Sequence, residues 1–216
     1  DRSLYYFFRF FTIINFFPRI DYLFHSDKDV IRSIKKGLSN KLDNFFKINK
    51  ISYFKNVIKV NSKSYDYIEK NKIKNKSKKF IVYIDAPLDH LDRTMREGEV
   101  SIDKREKFYE NLRNFLRFLS KSTNHKIIIC PYPKRKDPKK IFFGFQIAKK
   151  RTMELIPSAS LVIFTESSAI TTAVLLKKKI LVIQSELTGD YLLNLSNKYI
   201  KYLNLKKENI DNFNKS

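Results

Sequence analysis

The sequence Phe80-Ile81-Val82-Tyr83-Ile84-Asp85 is a short apolar run that ends in a carboxylate and is followed by Ala86-Pro87. Three more apolar runs of similar length follow at residues 126–130, 160–164 and 180–184. Each has the length and composition of a buried strand, and helical patterns separate them. Almost wholly apolar strands that alternate with helices are typical of a parallel sheet with helices on both faces. We therefore predict an α/β, Rossmann-like fold.

The helices between these strands are predicted from caps and periodicity. The first begins where Asp103 and Glu106 have the spacing of a capping box. Its apolar face consists of Phe108, Leu112, Phe115, Leu116 and Leu119. A second helix is predicted over residues 147–156, closed by Pro157, and a third over residues 168–176. A short helix near residues 27–34 is also predicted, from its Ser/Asp cap.

The lysine-rich residues 70–79 indicate a solvated linker or loop. We place a domain boundary there, between an N-terminal segment at residues 1–75 and a Rossmann-like domain at residues 76–216. The chain begins with Asp1 rather than Met. We therefore interpret the N-terminal segment as the remnant of a preceding domain or a linker.

Aromatic residues are concentrated in residues 4–17, a run interrupted by Arg9 and ended by Pro18. It is too short to span a bilayer, which needs about 20 apolar residues. It also lacks the small-residue cleavage site of a signal peptide. Two interpretations stay open: a buried element packed on another domain, and an interfacial membrane anchor.

The 216-residue chain carries a formal net charge of +22. Such an excess attracts nucleic acid, anionic lipid or phosphorylated small molecules, although a bias of the coding sequence towards lysine would also produce it. Cys130 is the single cysteine and the three histidines are far apart, which argues against a disulfide framework and a metal cluster. We predict no structural metal and a reducing, cytoplasmic environment.

Ligands of open parallel sheets bind beyond the carboxyl ends of the strands, where three loops begin at Asp85, Pro131 and Thr165. In the third loop, Thr165, Ser167 and Ser168 stand at a predicted helix start, where hydroxyl and backbone N–H groups favour a phosphate. The same residues would also serve as ordinary helix caps.

The other two loops offer charge. Lys134 and Arg135 lie between prolines and could meet a diphosphate, although a solvated charge run has the same appearance. Asp85 and His90 could accept a proton from an acceptor hydroxyl. The alternatives are that Asp85 caps a turn and that His90 has no catalytic part.

At these loops the sequence resembles bacterial surface-carbohydrate and capsule-type transferases, related in design to the GT-B sialyltransferases and polysialyltransferases. That family has a strand ending in Asp before a Pro-containing loop, a His-Pro motif followed by a basic residue, and a Ser-Ser or Ser-Thr motif at a helix start. The matching residues here are Tyr83-Ile84-Asp85-Ala86-Pro87, Pro131-Tyr132-Pro133-Lys134, and Phe164-Thr165-Glu166-Ser167-Ser168. The resemblance covers residues 80–191.

The resemblance implies the C-terminal half of a GT-B fold. It implies that a nucleotide sugar binds at the two later motifs and is transferred to a growing surface polysaccharide or glycolipid without a metal or other cofactor. The residues implied for the nucleotide and its phosphates are Tyr132, Pro133, Lys134, Arg135, Thr165, Glu166, Ser167 and Ser168. Tyr132 replaces the histidine of the family before Pro133, and a phenol cannot carry the positive charge of an imidazolium.

Two other functions fit the composition. A basic nucleic-acid-binding module would need exposed aromatic residues among its cations, whereas most aromatics here lie in apolar runs. A non-catalytic, membrane-associated assembly protein would use the aromatic N-terminal run and the basic surface against anionic lipid. The enzyme itself could contact the inner face of the membrane in the same way.

Overall fold

The computed structural model describes residues 20–25, 54–76, 78–88, 100–211 and 213. The chain divides into two compact units, Asp1–Asp66 and Tyr67–Ser216. The aromatic run at residues 4–17, the predicted helix near residues 27–34, and His90 lie outside the described residues. The predicted domain boundary at residue 75 stays a prediction.

In the first unit, strand β1 (Ile20–His25) pairs with strand β2 (Phe54–Lys59) in parallel. Ile20 lies opposite Phe54, and His25 lies opposite Lys59. A parallel pair needs a crossover connection, and residues 26–53 separate the two strands. Helix α1 (Lys63–Lys70) follows β2.

The second unit is built on a sheet of six parallel strands. They are β3 (Phe80–Ile84), β4 (Lys126–Cys130), β5 (Gln146–Ile147), β6 (Leu161–Phe164), β7 (Ile180–Gln184) and β8 (Lys206–Asn209). Their spatial order is β5-β4-β3-β6-β7-β8, the order of a doubly wound Rossmann sheet. The predicted α/β fold and its four apolar strands are confirmed.

Five α-helices are described in the second unit beyond residue 80: α2 (Ile102–Thr123), α3 (Pro138–Ile141), α4 (Thr152–Leu155), α5 (Ile170–Leu175) and α6 (Asp190–Leu203). Two 3₁₀ turns, Ile156–Ser158 and Glu186–Thr188, follow α4 and β7. The N-cap of α2 is Ser101, whose hydroxyl accepts from the Lys104 N–H, so the predicted start at Asp103 was two residues late.

The helix predicted over residues 147–156 was wrong in its first half. Ile147 belongs to β5, and the next residue, Ala148, donates its N–H to the Ile129 carbonyl at 2.8 Å. Pairing with β4 therefore determines the backbone there, and the helix begins only at Thr152. Pro157 lies within the 3₁₀ turn that follows.

The sheet separates two apolar clusters, as the alternation of side chains along a strand requires. Ile81 and Tyr83 of β3 face the cluster that contains Leu112 of α2. Val82 and Ile84 face the opposite cluster, which contains Ala173 of α5. Helices therefore cover both faces of the sheet, and the loops at the strand ends extend from a well-packed core.

The lysine-rich segment before β3 is a loop after Lys70 in its described residues, most of which are exposed, as expected of a solvated loop. The Lys76 and Lys78 N–H groups donate to the carbonyls of Pro157 and Ser158, both at 2.9 Å. The Lys178 ammonium donates to Asn75 Oδ1 and to the Lys76 carbonyl at 2.6 and 2.8 Å. These bonds hold the loop against the 3₁₀ turn at Ile156–Ser158 and against Lys178.

Candidate functional site

The site lies at the carboxyl edge of the sheet, where the strand order reverses. β3 is the first strand of the sheet, β4 lies on one side of it and β6 on the other. Ile84 at the end of β3 pairs with Cys130 of β4 and with Phe164 of β6. Because neighbouring strands are about 4.8 Å apart, the loops after these three strands begin side by side. This is the position where doubly wound sheets bind ligands.

Two predicted site residues, Asp85 and Arg135, bind each other. Arg135 Nη2 donates to Asp85 Oδ1 at 2.9 Å, and Arg135 Nε donates to Asp85 Oδ2. The Arg135 and Asp85 side chains are 2% and 0% exposed. The carboxylate also accepts the Tyr132 N–H at 3.1 Å. The structure thus contains a buried, bidentate ion pair at the centre of the candidate site.

Tyr109 of α2 completes this pair. Its hydroxyl accepts from Arg135 Nη2 at 2.6 Å, and its ring lies 5.3 Å from the guanidinium carbon. Burial raises the pKa of Tyr109 to about 12, and the charge of Asp85 acts in the same direction. Burial also lowers the pKa of Arg135, but the bonds to Asp85 and Tyr109 outweigh it, so that the pKa is raised overall. The guanidinium is therefore charged at every pH where the protein folds.

This arrangement changes the interpretation of Asp85. A carboxylate has about four lone-pair sites, and three of those of Asp85 accept bonds from Arg135 and Tyr132. The geometry is that of a residue that positions the β4 loop. A catalytic role for Asp85 stays a prediction, and it would require the ion pair to open.

The β4 loop is a tight turn whose tip is exposed. The Arg135 N–H donates to the Tyr132 carbonyl at 2.9 Å, with Pro133 at the second position of the turn, where proline is favoured. Pro133 and Lys134 are exposed, and Tyr132 is half-buried. Two cations of this turn were predicted to bind phosphate. The Arg135 side chain is buried against Asp85, whereas the Lys134 side chain is exposed at the surface.

The β6 loop begins with an unusual buried hydroxyl. Thr165 is 3% exposed, and the hydroxyl of Tyr83 is fully buried on β3. Burial raises the pKa of Tyr83 well above its ordinary value, Asp85 and Tyr109 act in the same direction, and a side-chain hydrogen bond with Thr165 lowers it. The two buried hydroxyls therefore lie close enough to pair with each other at the start of the β6 loop.

The serines lie next to Thr165, but not as we expected. Helix α5 has only six residues, and the carbonyls of Ser167, Ser168 and Ala169 accept its first three N–H groups. Ser167 Oγ accepts the Ala169 N–H at 3.2 Å. The helix terminus is therefore closed. The backbone N–H groups of Ser167 and Ser168 donate to no described residue, so the preceding turn offers the free donors.

Glu166 is half-buried and lies towards helix α6. The pKa of Tyr199 on that helix is raised by burial first and by Glu166 second. Ser168 is exposed. The predicted residues of this loop thus have different environments: Thr165 inside, Glu166 against α6, and Ser168 at the surface.

Comparison with protein-family models and with curated proteins finds no match. Among the described residues, no group of three or more histidine, cysteine, aspartate or glutamate side chains could hold a metal ion. Within the same residues, no helix is long and apolar enough to cross a membrane. The candidate site is therefore interpreted from its geometry.

Two members of the site, Tyr83 and Tyr109, were not predicted from the sequence. Both tyrosines lie in apolar stretches that were assigned to the core: Tyr83 is part of a predicted strand, and Tyr109 follows the core residue Phe108. A tyrosine at a fully buried position needs a partner for its hydroxyl, and this requirement was the available signal.

Proposed function

We propose that this protein is a glycosyltransferase that binds a nucleotide sugar at the carboxyl edge between β3 and β6 and transfers the sugar to a growing surface polysaccharide or glycolipid. The register of the sheet carries this proposal. Ile84 pairs with both Cys130 and Phe164, so the loops predicted to bind the donor start at one level, on the two strands that flank β3. A donor diphosphate at this edge could contact both later loops.

The β6 turn supplies donors of the kind that a phosphate needs. The N–H groups of Ser167 and Ser168 have no described partner, and successive free N–H groups in a turn form an anion-binding concavity. The exposed Ser168 hydroxyl and the Lys134 ammonium add donors, and the Thr165 hydroxyl lies beneath them. These groups would stabilise negative charge on the departing phosphate.

Asp85 and Arg135 act in this proposal by holding the β4 turn against β3. The buried pair fixes Tyr132 and leaves the tip of the turn exposed. A preorganised turn reduces the ordering cost of ligand binding. His90, in the loop after β3, is our candidate for the base that deprotonates the acceptor.

A nucleic-acid-binding module is the second candidate. Its stacking contacts need exposed aromatic rings. Four aromatic side chains of the described residues, Tyr83, Phe108, Phe142 and Phe164, are fully buried in the core. Five others are exposed: Tyr65, Phe118, Phe143, Tyr191 and Tyr202.

The test is a thermal-shift panel of CMP-, UDP-, GDP- and dTDP-linked sugars on the full chain, repeated with Thr165→Val and Ser168→Ala. Since Thr165 is buried and its hydroxyl lies beside that of Tyr83, Thr165→Val should change the stability of the free protein by at most about 1–3 kcal/mol while it weakens donor binding. Ser122→Ala, on the exposed end of α2, is the matched control. The proposal fails if no donor raises Tm, or if all three variants respond like the wild type.

A further inference from the structure

A groove of about 960 Å³ runs between helix α2 and the segment around helix α3. One side is the face of α2 from Asp103 to Arg117, and the other includes Lys136, Lys140 and Phe143. The lining includes neither Lys134 nor the serines of the β6 turn. Tyr109 belongs to both the groove and the candidate site, but the groups proposed to bind the donor phosphate do not line the groove, so its interpretation does not depend on that proposal.

Two guanidiniums lie over one exposed ring at the C-terminal end of this groove. The guanidinium carbons of Arg113 and Arg117 are 4.5 and 5.3 Å from the centre of the Phe143 ring, which is 53% exposed. Arg113 Nη1 donates to the Ile141 carbonyl at 3.0 Å, and Arg117 Nη1 donates to Asn114 Oδ1 at 3.2 Å. Stacking and hydrogen bonding thus hold both groups in fixed positions.

Among the described residues neither guanidinium forms a salt bridge, although the groove lining also includes the carboxylates of Asp103, Glu106, Glu110 and Asp137. Burial lowers the pKa of Arg113, Arg117 lowers it further, and Glu110 opposes them with the smallest effect. Glu110 is engaged by Lys107 at 3.8 Å. The next carboxylate along this face, Glu106, lies seven residues before Arg113, or about 10 Å along the helix. A bound anion would reduce the electrostatic repulsion between the two guanidiniums.

Both guanidiniums keep donors for such an anion. Arginine has five N–H donors, and Arg113 and Arg117 each use Nη1 in the bonds described above. Lys140 is exposed on the opposite side of the groove and adds a third positive charge. We propose that Arg113, Arg117 and Lys140 form a binding site for the phosphoryl group of a phosphorylated ligand, with Phe143 positioning the two guanidiniums.

A phosphoryl group suits this cluster because its charge approaches two and its oxygens accept the paired donors of a guanidinium fork. The groove has the volume of a site for an organic ligand and not for a bare ion. The carboxylates at its N-terminal end, Asp103 and Glu106, could accept hydrogen bonds from hydroxyl groups on the remainder of that ligand.

The test is calorimetric titration of the full chain with sodium pyrophosphate at low ionic strength. Arg117→Gln and Lys140→Gln should each weaken binding about tenfold or more, since each removes a charge-assisted contact. Arg117→Lys should also weaken it, because an ammonium keeps the charge but loses the fork. Lys121→Gln and Ser122→Ala, on the same helix but outside the groove, should change binding by less than about twofold. Unchanged urea midpoints would show that the groove variants fold.

A second measurement identifies the source of the phosphoryl group. Vesicles of equal parts phosphatidic acid and phosphatidylcholine, whose phosphatidic acid carries a phosphomonoester, would co-sediment with the wild type and not with Arg117→Gln if the ligand is a lipid headgroup. No co-sedimentation alongside pyrophosphate binding would assign a soluble phosphorylated ligand. The site is refuted if pyrophosphate does not bind, if Arg117→Gln binds it as Lys121→Gln does, or if only Ser168→Ala loses it.

Discussion

Replacing Asp85 by asparagine removes the negative charge of the buried pair and leaves the Arg135 guanidinium without its carboxylate. Arg135 cannot respond by losing its proton, because arginine stays charged in proteins. Its side chain is only 2% exposed, so water does not reach it without a local opening of the β4 turn. Asp85→Asn therefore buries an uncompensated charge next to Tyr109.

The expected cost is about 3–5 kcal/mol, the range for removing one partner of a buried ion pair. Arg135 donates two bonds to Asp85, which supports the upper part of that range. Arg135→Met should cost a similar amount, because it removes both bonds and the positive charge that faces the carboxylate. In the double variant neither charge is stranded, so its cost should fall short of the sum of the single costs by about 2 kcal/mol or more.

Urea unfolding measures these free energies. With a slope of about 2 kcal/mol per M, Asp85→Asn should lower the midpoint by about 2 M. Lys134→Met changes the neighbouring exposed cation of the same turn and should lie within about 0.5 kcal/mol of the wild type. Single variants within 1 kcal/mol of the wild type, or a double variant equal to the sum, would refute the assignment of Asp85 and Arg135 as a buried pair.

Further predictions concern the core, a cap, a thiol and a phenol. Leu112→Ala, at a fully buried position of α2, should cost about 2–5 kcal/mol in urea unfolding, and a cost below 1 would contradict the packing. Ser101→Ala should cost about 1 kcal/mol by the same assay through loss of the N-cap bond. Burial raises the pKa of the Cys130 thiol to about 11, so iodoacetamide at pH 8 should modify it only as fast as the protein opens, as followed by mass spectrometry; rapid labelling would show an exposed thiol. The pKa of Tyr109 is about 12 in the folded protein and about 10 in the unfolded chain. The protonated phenol therefore contributes about 2–3 kcal/mol to the free energy of unfolding below pH 10, and this contribution is lost between pH 10 and 12. Tyr109→Phe should flatten that part of the stability profile.

The sheet was predictable where a strand is buried on both faces. β3, β4, β6 and β7 are almost wholly apolar, a composition typical of parallel strands covered on both faces. β8 has the sequence Lys-Lys-Glu-Asn and is exposed at the edge of the sheet, so composition carried no signal for it. β5 is only two residues long, too short for an alternation of apolar and polar residues to be detected. It is defined by its pairing with Ile128 and Ile129 of β4.

The location of the candidate site could be predicted from the sequence, but the roles of its individual residues could not. The parallel sheet brings the loops after β3, β4 and β6 to one edge, as strand composition and the ligand rule for such sheets implied. Asp85 and Arg135 were both chosen, yet they are fifty residues apart, and their pairing appears only in three dimensions. The hydroxyl of Tyr109 joins them from a third element.

The most direct test of the central claim is an NMR titration of the isotope-labelled full chain with CMP, UDP, GDP and dTDP. If the donor diphosphate binds at the carboxyl edge between β3 and β6, one of these nucleotides should shift the amide signals of Ser167 and Ser168, together with those of the turn at residues 132–135. Shifts confined to the groove between α2 and α3, or no shift with any of the four, would contradict it.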